Sequence, residues 1–298
     1  MNDRLFAGLD AGSSATKCVI VDESGAMKSH AVVPSGFDYA VAAETAFGQA
    51  LAGCSMLMDV DPAQARARVA YCVSTGYGRG NVPFANRKIT EITAHARGAR
   101  RWYPQATSIV DIGGQDTKVI WMNSRGNLTD YRMNSKCAAG TGTFLESIAL
   151  KLGVPLREID ELALASRAKT VVNSYCTVFS GTEVIERIKA GEARQDIAMG
   201  LFRSIATRVF EMRGRREEHV AATGGVVAHC RAMVRALEEV FGAPVLVPPL
   251  PQQAGAYGAA LHACDDALHR TAGPDEPREI APATELRCAC ESPKGAHP

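Results

Sequence analysis

The chain has 298 residues, 33 Lys+Arg against 32 Asp+Glu, a formal charge of +1 and 46% hydrophobic residues. This balance argues against a broad nucleic-acid or acidic-lipid footprint, and no apolar run reaches the roughly 20 residues of a membrane span. The opening MNDRLFAGLDAG lacks a signal-peptide apolar core. A cytoplasmic enzyme of one large or two medium domains is therefore the expectation. The nine cysteines are then expected as reduced thiols, in cores or as ligands, rather than as disulfides.

Residues 5–9, 17–21 and 29–33 predict three short antiparallel strands joined by Gly/Ser turns. Apolar spacing predicts a helix over 40–58. Residues 69–75 predict a buried strand that enters the glycine-rich Gly76-Tyr-Gly-Arg-Gly80, and 85–101 return to helical character. The pattern then recurs. Residues 108–133 lie on 7–32 at a constant offset of 101: Asp10 falls on Asp111, Gly12 on Gly113, Thr16-Lys17 on Thr117-Lys118 and Gly25 on Gly126. Several identities at one offset indicate a duplicated hairpin unit, hence two similar α/β domains and a cleft between them. Further on, helices are expected at 142–152, 155–166, 181–190, 196–213, 228–241 and 254–266, with strands at 219–223 and 244–248. From residue 267 the composition turns rich in Pro and charge, which predicts a flexible tail. The expected domains are thus 1–105, 106–266 and a tail over 267–298.

The segment Asp10-Ala-Gly-Ser-Ser-Ala-Thr-Lys17 has the makings of an anion cradle. Glycine permits close backbone approach, and successive N–H groups in such a turn bind anions. Ser13, Ser14 and Thr16 add hydroxyls and Lys17 a charge, while Asp10 repels phosphate unless Mg²⁺ intervenes. A plain glycine hairpin would explain the segment equally well. Asp111-Ile-Gly-Gly-Gln-Asp116 supplies a second acid and a second cradle, with Gly113 and Gly114 for phosphate and Gln115 or Asp116 to orient water. Two facing hairpins can clamp a polyphosphate and its metal. A third glycine element, Ala222-Thr-Gly-Gly-Val226, follows a strand and precedes a helix; there Gly224 and Gly225 would border a base or ribose. No G-x-x-x-x-G-K-[ST] segment is present, and Gly76–Gly80 lacks dinucleotide spacing.

These motifs, in this order, resemble the phosphate and adenosine motifs of the acetate-kinase/Hsp70/actin superfamily. Asn134-Ser-Lys-Cys-Ala-Ala-Gly-Thr-Gly142 and Cys176-Thr-Val-Phe179 narrow the resemblance to the BadF/BadG/BcrA/BcrD-type ATPases, over about residues 4–265. The implied fold is a pair of actin-like, ribonuclease H-like α/β domains around an ATP cleft. In that fold Gly255 and Gly258 would let the last helix pack close to the interdomain hinge.

Cys137 and Cys176 lie 39 positions apart, each near an expected helix start, where the helix dipole favours a thiolate. Two partly buried thiols would fit the same positions. Two thiolates do not complete a 4Fe–4S site, which takes four. The resemblance implies that Cys137 and Cys176 hold half of a cluster shared with a second copy or a paralogous subunit. It also implies an ATP-hydrolysing electron-activation subunit with an electron donor such as ferredoxin and a catalytic acyl-CoA partner. Cys176-Thr-Val-Phe-Ser-Gly-Thr-Glu-Val and Asn134-Ser-Lys-Cys137 point to a benzoyl-CoA reductase-type subunit rather than a 2-hydroxyacyl-CoA dehydratase activator. Other readings are a sugar or N-acetylhexosamine kinase of the superfamily and a non-catalytic nucleotide-dependent scaffold. Cys18, Cys54, Cys72, Cys230 and Cys264 fall in apolar or helical runs and are expected in cores. Cys288 and Cys290 fall in the tail.

Overall fold

A computed structural model of the chain describes residues 4–134, 141–172, 177–214 and 219–271. The first half runs β1 (Leu5–Ala11), β2 (Ala15–Val21), β3 (Met27–Pro34), α1 (Tyr39–Met58), α2 (Pro62–Ala67), β4 (Val69–Thr75), β5 (Arg87–Lys88) and α3 (Glu91–Trp102). The second runs β6 (Ser108–Ile112), β7 (Thr117–Met122), β8 (Leu128–Asn134), α4 (Gly142–Leu152), α5 (Ile159–Leu164), α6 (Thr177–Lys189) and α7 (Arg194–Arg213). It continues with β9 (Val220–Thr223), α8 (Gly225–His229), α9 (Arg231–Phe241) and α10 (Ala254–Thr271). The sheets have orders β3-β2-β1-β4-β5 and β8-β7-β6-β9. In both, two antiparallel hairpins precede a parallel partner of the first strand.

The duplication holds at the level of single hydrogen bonds. Asp10 pairs across the ladder with Lys17, and Asp111 with Lys118. Gly12 N–H donates to Ala15 O (3.2 Å), and Gly113 N–H to Asp116 O (2.9 Å). Each second strand is irregular at the same place, Ile20/Val21 and Trp121/Met122. The following turns match too: Asp22 Oδ1 and Asn123 Oδ1 each accept two backbone N–H groups, two and four residues on.

That pair of turns makes a natural substitution test. Burial would raise the Asp22 carboxyl, but the Lys28 ammonium, the Ser24 hydroxyl and the N–H groups of Ala26 and Ser24 outweigh it and hold the pKa at about 2. Its stabilisation is present above the unfolded value of 3.8 and is lost as pH falls toward about 2. Asp22→Asn installs the residue that serves the second turn. It should cost under about 1 kcal/mol at pH 7, the worth of the exposed Lys28 pair, and flatten the acid limb of a urea-unfolding series. A larger loss at neutral pH would mean the two turns are not interchangeable.

Strand periodicity places the acids. Leu5, Ala7 and Leu9 pack with Ala43, Ala46 and Phe47 of α1. On the opposite face, Phe6 packs with Ala256 and Ala260 of α10, and Asp10 shares that face. In β6, Val110 and Ile112 join the core under α4 and α7, while Ile109 packs with Ile92 and Ala96 of α3 and Asp111 shares its face. Both aspartates thus point to the helices between the sheets.

Several elements differ from the sequence expectations. Residues 244–248 form no strand, only a bridge from Leu246 to Ala221, because Pro244 and Pro248 supply no N–H. The helix expected over 228–241 breaks at Cys230. The one expected over 155–166 is a 3₁₀ turn at Leu156–Glu158 followed by α5, and α6 starts at Thr177 rather than 181. Helix α2, capped by Asp61 ahead of Pro62, has no counterpart among the expected elements. The closing helix runs to Thr271, past the expected tail boundary at 267. It also packs on β1, β4 and α3 of the first half, not on the second domain expected over 106–266. Small residues permit this: a Cβ on Gly258 would collide with the Ala94 carbonyl. The rest of the expected tail lies outside the described residues.

Candidate functional site: a cleft between two glycine hairpins

A cleft of about 640 Å³ separates the two halves, within the range of ligand pockets. The first half lines it with Asp10, Gly12, Ser13, Ser14 and Lys17. Facing them are Asp111, Gly113, Gly114, Gln115, Asp116 and Lys118, with Gly224 and Gly225 alongside. The hairpin tips touch, since a Cβ on Gly114 would collide with the Ser14 hydroxyl. Gln115 stands exposed at its tip. Thr16 is the exception. It is buried, and its hydroxyl meets Ser35 Oγ at 2.9 Å, while Ser35 donates to Gly12 O at 2.5 Å. Alternation along β2 sends Lys17 to the cleft and Thr16 to the opposite face, so Thr16 braces the cradle from behind.

The cleft is densely charged. Lys17 Nζ lies 3.0 Å from Asp10. Lys118 is 3% exposed and contacts Asp116 (2.7 Å), Glu91 of α3 (2.8 Å) and Asp111 (3.5 Å). Burial would lower its pKa, but Asp111, Glu91 and Asp116 override that and raise it. Burial would likewise raise Asp111, yet His95, Lys118, the Thr223 hydroxyl and Lys17 hold it below its ordinary value. Four carboxylates therefore surround two ammonium groups, and the remaining negative charge suits a divalent cation.

The loops after the central parallel strands close the cleft floor. Gly76 (φ +93°) and Gly224 (φ +100°) occupy equivalent turns. A Cβ on Gly76 would press on the Ala11 carbonyl and Asp10, and one on Gly224 on the Ile112 carbonyl and Asp111. The repeated Thr-Gly at 75–76 and 223–224 was the sequence signal for this pairing. The equivalence stops at the threonines: Thr223 donates to Asp111 at 3.0 Å, whereas the buried Thr75 hydroxyl has no partner among the described residues.

At the other end Leu145, Leu156, Val226 and Cys230 form an apolar wall beside Glu146, Arg157, His229 and Gln252. His229 Nε2 meets Gln252 Oε1 at 3.2 Å. Sequence reasoning missed most of this wall, because its members come from separate helices and carry no motif spacing.

Helix α4 is tied to the second hairpin. Gly142 N–H donates to Gly113 O (3.0 Å), and Thr143 donates to Gly114 O through its N–H (2.9 Å) and its hydroxyl (2.8 Å). Cys137 lies five positions before α4 and Cys176 one before α6. Both fall outside the described residues, as do Cys288 and Cys290. Helices α4 and α6 pack against each other. The other five cysteines are buried and unpaired, and burial pushes Cys54 up to about 11 and Cys72 and Cys230 up to about 12. Such thiols do not ligate readily. No group of three or more His, Cys, Asp or Glu among the described residues is arranged to hold a metal, and no helix among them is long and apolar enough to cross a membrane.

Twin hairpins with an aspartate on each first strand, closed by Thr-Gly turns across one cleft, define a duplicated actin-like ATPase fold. The chain belongs to the BadF/BadG/BcrA/BcrD ATPase family, which matches residues 7–263. It is 37% identical over 265 residues to the activator of lactoyl-CoA dehydratase from Anaerotignum propionicum, covering 87% of this chain and 97% of that one. A benzoyl-CoA reductase subunit from Thauera aromatica is 31% identical over 269 residues, covering 86% and 92%. The structure of the activator of 2-hydroxyisocaproyl-CoA dehydratase from Clostridium difficile with bound ADPNP superposes with a TM-score of 0.80 at 33% identity, covering 91% and 98%.

Proposed function

We propose that the chain is an ATP-hydrolysing activator of a 2-hydroxyacyl-CoA dehydratase. The observation that carries this reading is the charged cleft between twin phosphate hairpins, roofed by a helix, α4, that starts beside Cys137 in the sequence and is bonded to one hairpin. The expected benzoyl-CoA reductase-type role gives way to the activator because the dehydratase activator is the more similar of the two relatives, 37% against 31%. The kinase alternative leaves Cys137 and Cys176 without a role.

The donor set fits the groups this function needs. Asp10 and Asp111 offer hard carboxylate oxygens, and would hold Mg²⁺ mostly through water. The ion would neutralise charge developing on the β- and γ-phosphates. Gly12, Ser13, Ser14, Lys17, Gly113 and Gly114 would bind the phosphates by N–H, hydroxyl and ammonium donors, and Gln115 would orient the attacking water. Gly224, Gly225 and the apolar wall would take the adenosine. The five described cysteines are buried, which disfavours them as ligands; as the family resemblance implies, Cys137 and Cys176 would supply two of four thiolates, the others coming from a second copy of the chain. A bridging 4Fe–4S cluster would supply low-potential one-electron chemistry. On this reading, ATP hydrolysis between the hairpins changes the setting of α4 through its hydrogen bonds to Gly113 O and Gly114 O. The electron would come from a small donor protein such as a ferredoxin and pass to the dehydratase component.

The reading is tested by anaerobic reconstitution. Chain, ATP, Mg²⁺ and a low-potential reductant should activate a 2-hydroxyacyl-CoA dehydratase component and leave a benzoyl-CoA reductase core without electrons. The reverse pattern would restore the reductase assignment, and hydrolysis without activation of either would favour a kinase or scaffold.

A further inference from the structure

The two halves hold their acids differently. Asp10 pairs with Thr75 across the parallel ladder of β1 and β4, and Asp111 with Thr223 across that of β6 and β9. Paired residues of a parallel ladder project to one face, so each threonine stands beside its acid. Each acid also turns Oδ1 toward the glycine after that threonine: an ideal Cβ on Gly76 would stand 2.6 Å from Asp10 Oδ1, and one on Gly224 2.9 Å from Asp111 Oδ1. Thr223 donates to that oxygen at 3.0 Å. Thr75 is equally buried, yet its hydroxyl has no partner among the described residues. A buried hydroxyl without a partner is costly and calls for a reason.

The lysines supply one. Lys118 is fixed by Asp116 at 2.7 Å and Glu91 at 2.8 Å, and meets Asp111 only at 3.5 Å, which leaves that carboxylate to Thr223. Lys17 grips Asp10 at 3.0 Å and has no other carboxylate within ion-pair distance among the described residues. Its ammonium also lies over the first phosphate turn, where an ideal Cβ on Gly12 would stand 2.9 Å from Nζ. The tight pair thus goes with the unbonded threonine, and the loose pair with the bonded one. A polyphosphate in the first cradle competes for Lys17, and the buried Asp10 carboxylate is then left short of a donor.

We infer that Thr75 is the reserve donor of the ATP site: as Lys17 turns to phosphate, the Thr75 hydroxyl rotates onto Asp10 Oδ1 and keeps the carboxylate aimed at the divalent cation. Thr223 and Asp111 already show that arrangement. Thr75 is a positioning residue, acting through Asp10. This rests on the proposed ATP–Mg²⁺ site and deepens it.

A double-mutant cycle in the full-length chain, purified anaerobically and unfolded in urea without nucleotide, reads the hand-over directly. Thr75→Val alone should leave the midpoint unchanged or raise it, because it removes a buried hydroxyl that bonds nothing. Thr223→Val, which takes a donor from Asp111, should lower it. In the Lys17→Met background, where Asp10 has lost its cation, Thr75→Val should lower the midpoint as well. A second arm uses nucleotide and keeps the test alive if Lys17→Met fails to fold. Thr75→Val should bind ADP in EDTA as wild type does, yet lose about 10–100-fold in Mg²⁺ affinity or turnover, the usual cost of removing a partner behind a metal ligand. Thr75→Ser keeps the hydroxyl and should restore both. A lowered midpoint in Thr75→Val alone, strict additivity in the cycle, or wild-type Mg²⁺-dependent hydrolysis in Thr75→Val overturns the inference. A wild-type chain that binds no nucleotide overturns the functional reading and the role of Thr75 in it, while the cycle still shows whether Thr75 succeeds Lys17 on Asp10.

Discussion

Asp10→Ala is expected to lower Mg²⁺-dependent ATP turnover by about 10²–10³-fold or more, the usual cost of losing one preorganised electrostatic group at a reacting centre. The fold should survive. Asp10 contributes no core packing, its ladder bonds to Lys17 are made by backbone, and Lys17, whose side chain is 14% exposed, can turn toward the cleft. Nucleotide binding in EDTA should hold or improve, since a carboxylate that repels phosphate has gone. Steady-state hydrolysis against Mg²⁺, with a thermal melt as control, checks this. Undiminished turnover would remove Asp10 from the metal site.

Lys118→Met is expected to act through stability. The ammonium is 3% exposed among Asp111, Asp116 and Glu91. Deleting it leaves buried carboxylates without their cation, which costs about 3–5 kcal/mol for a broken buried pair. The pH dependence has a definite sign. Without the ammonium, Asp111 loses one of the groups that hold its carboxyl below the ordinary value. The variant then has less charge stabilisation to lose as the carboxyl protonates, and its deficit should shrink between about pH 7 and about pH 4. Urea unfolding at both pH values tests this. A deficit independent of pH would assign the loss to packing instead of charge.

The two hairpins were legible in the sequence because their chemistry is local. Asp, Gly, Lys and the turn glycine recur at one spacing, and each is needed within its own hairpin. The same locality explains the error at Thr16. It falls within the motif, but strand alternation turns its hydroxyl to Ser35, and a motif read as a string does not separate the two faces. His95 and Glu91 were not legible, and Gly255 was legible only as a close-packing position near the hinge. Each reaches the acids only after α3 and α10 are inserted between the sheets, and no short spacing records that packing. The return of α10 to the first sheet is equally nonlocal; its trace in the sequence is a run of alanines and glycines, small enough for backbone to approach backbone. Proline offered an unused signal, since Pro248 has no N–H to donate and the ladder stops after the bonds made by Leu246.

The central claim is that each chain holds an ATP site and half of a metal site. Its most direct test is the iron and acid-labile sulfide content of the anaerobically purified chain, with its visible spectrum and mass in solution. The account predicts a brown dimer with about four iron atoms per two chains, whose colour is lost in Cys137→Ser and Cys176→Ser while ADP binding survives in both. A colourless protein without iron, or iron retained in both variants, would contradict it.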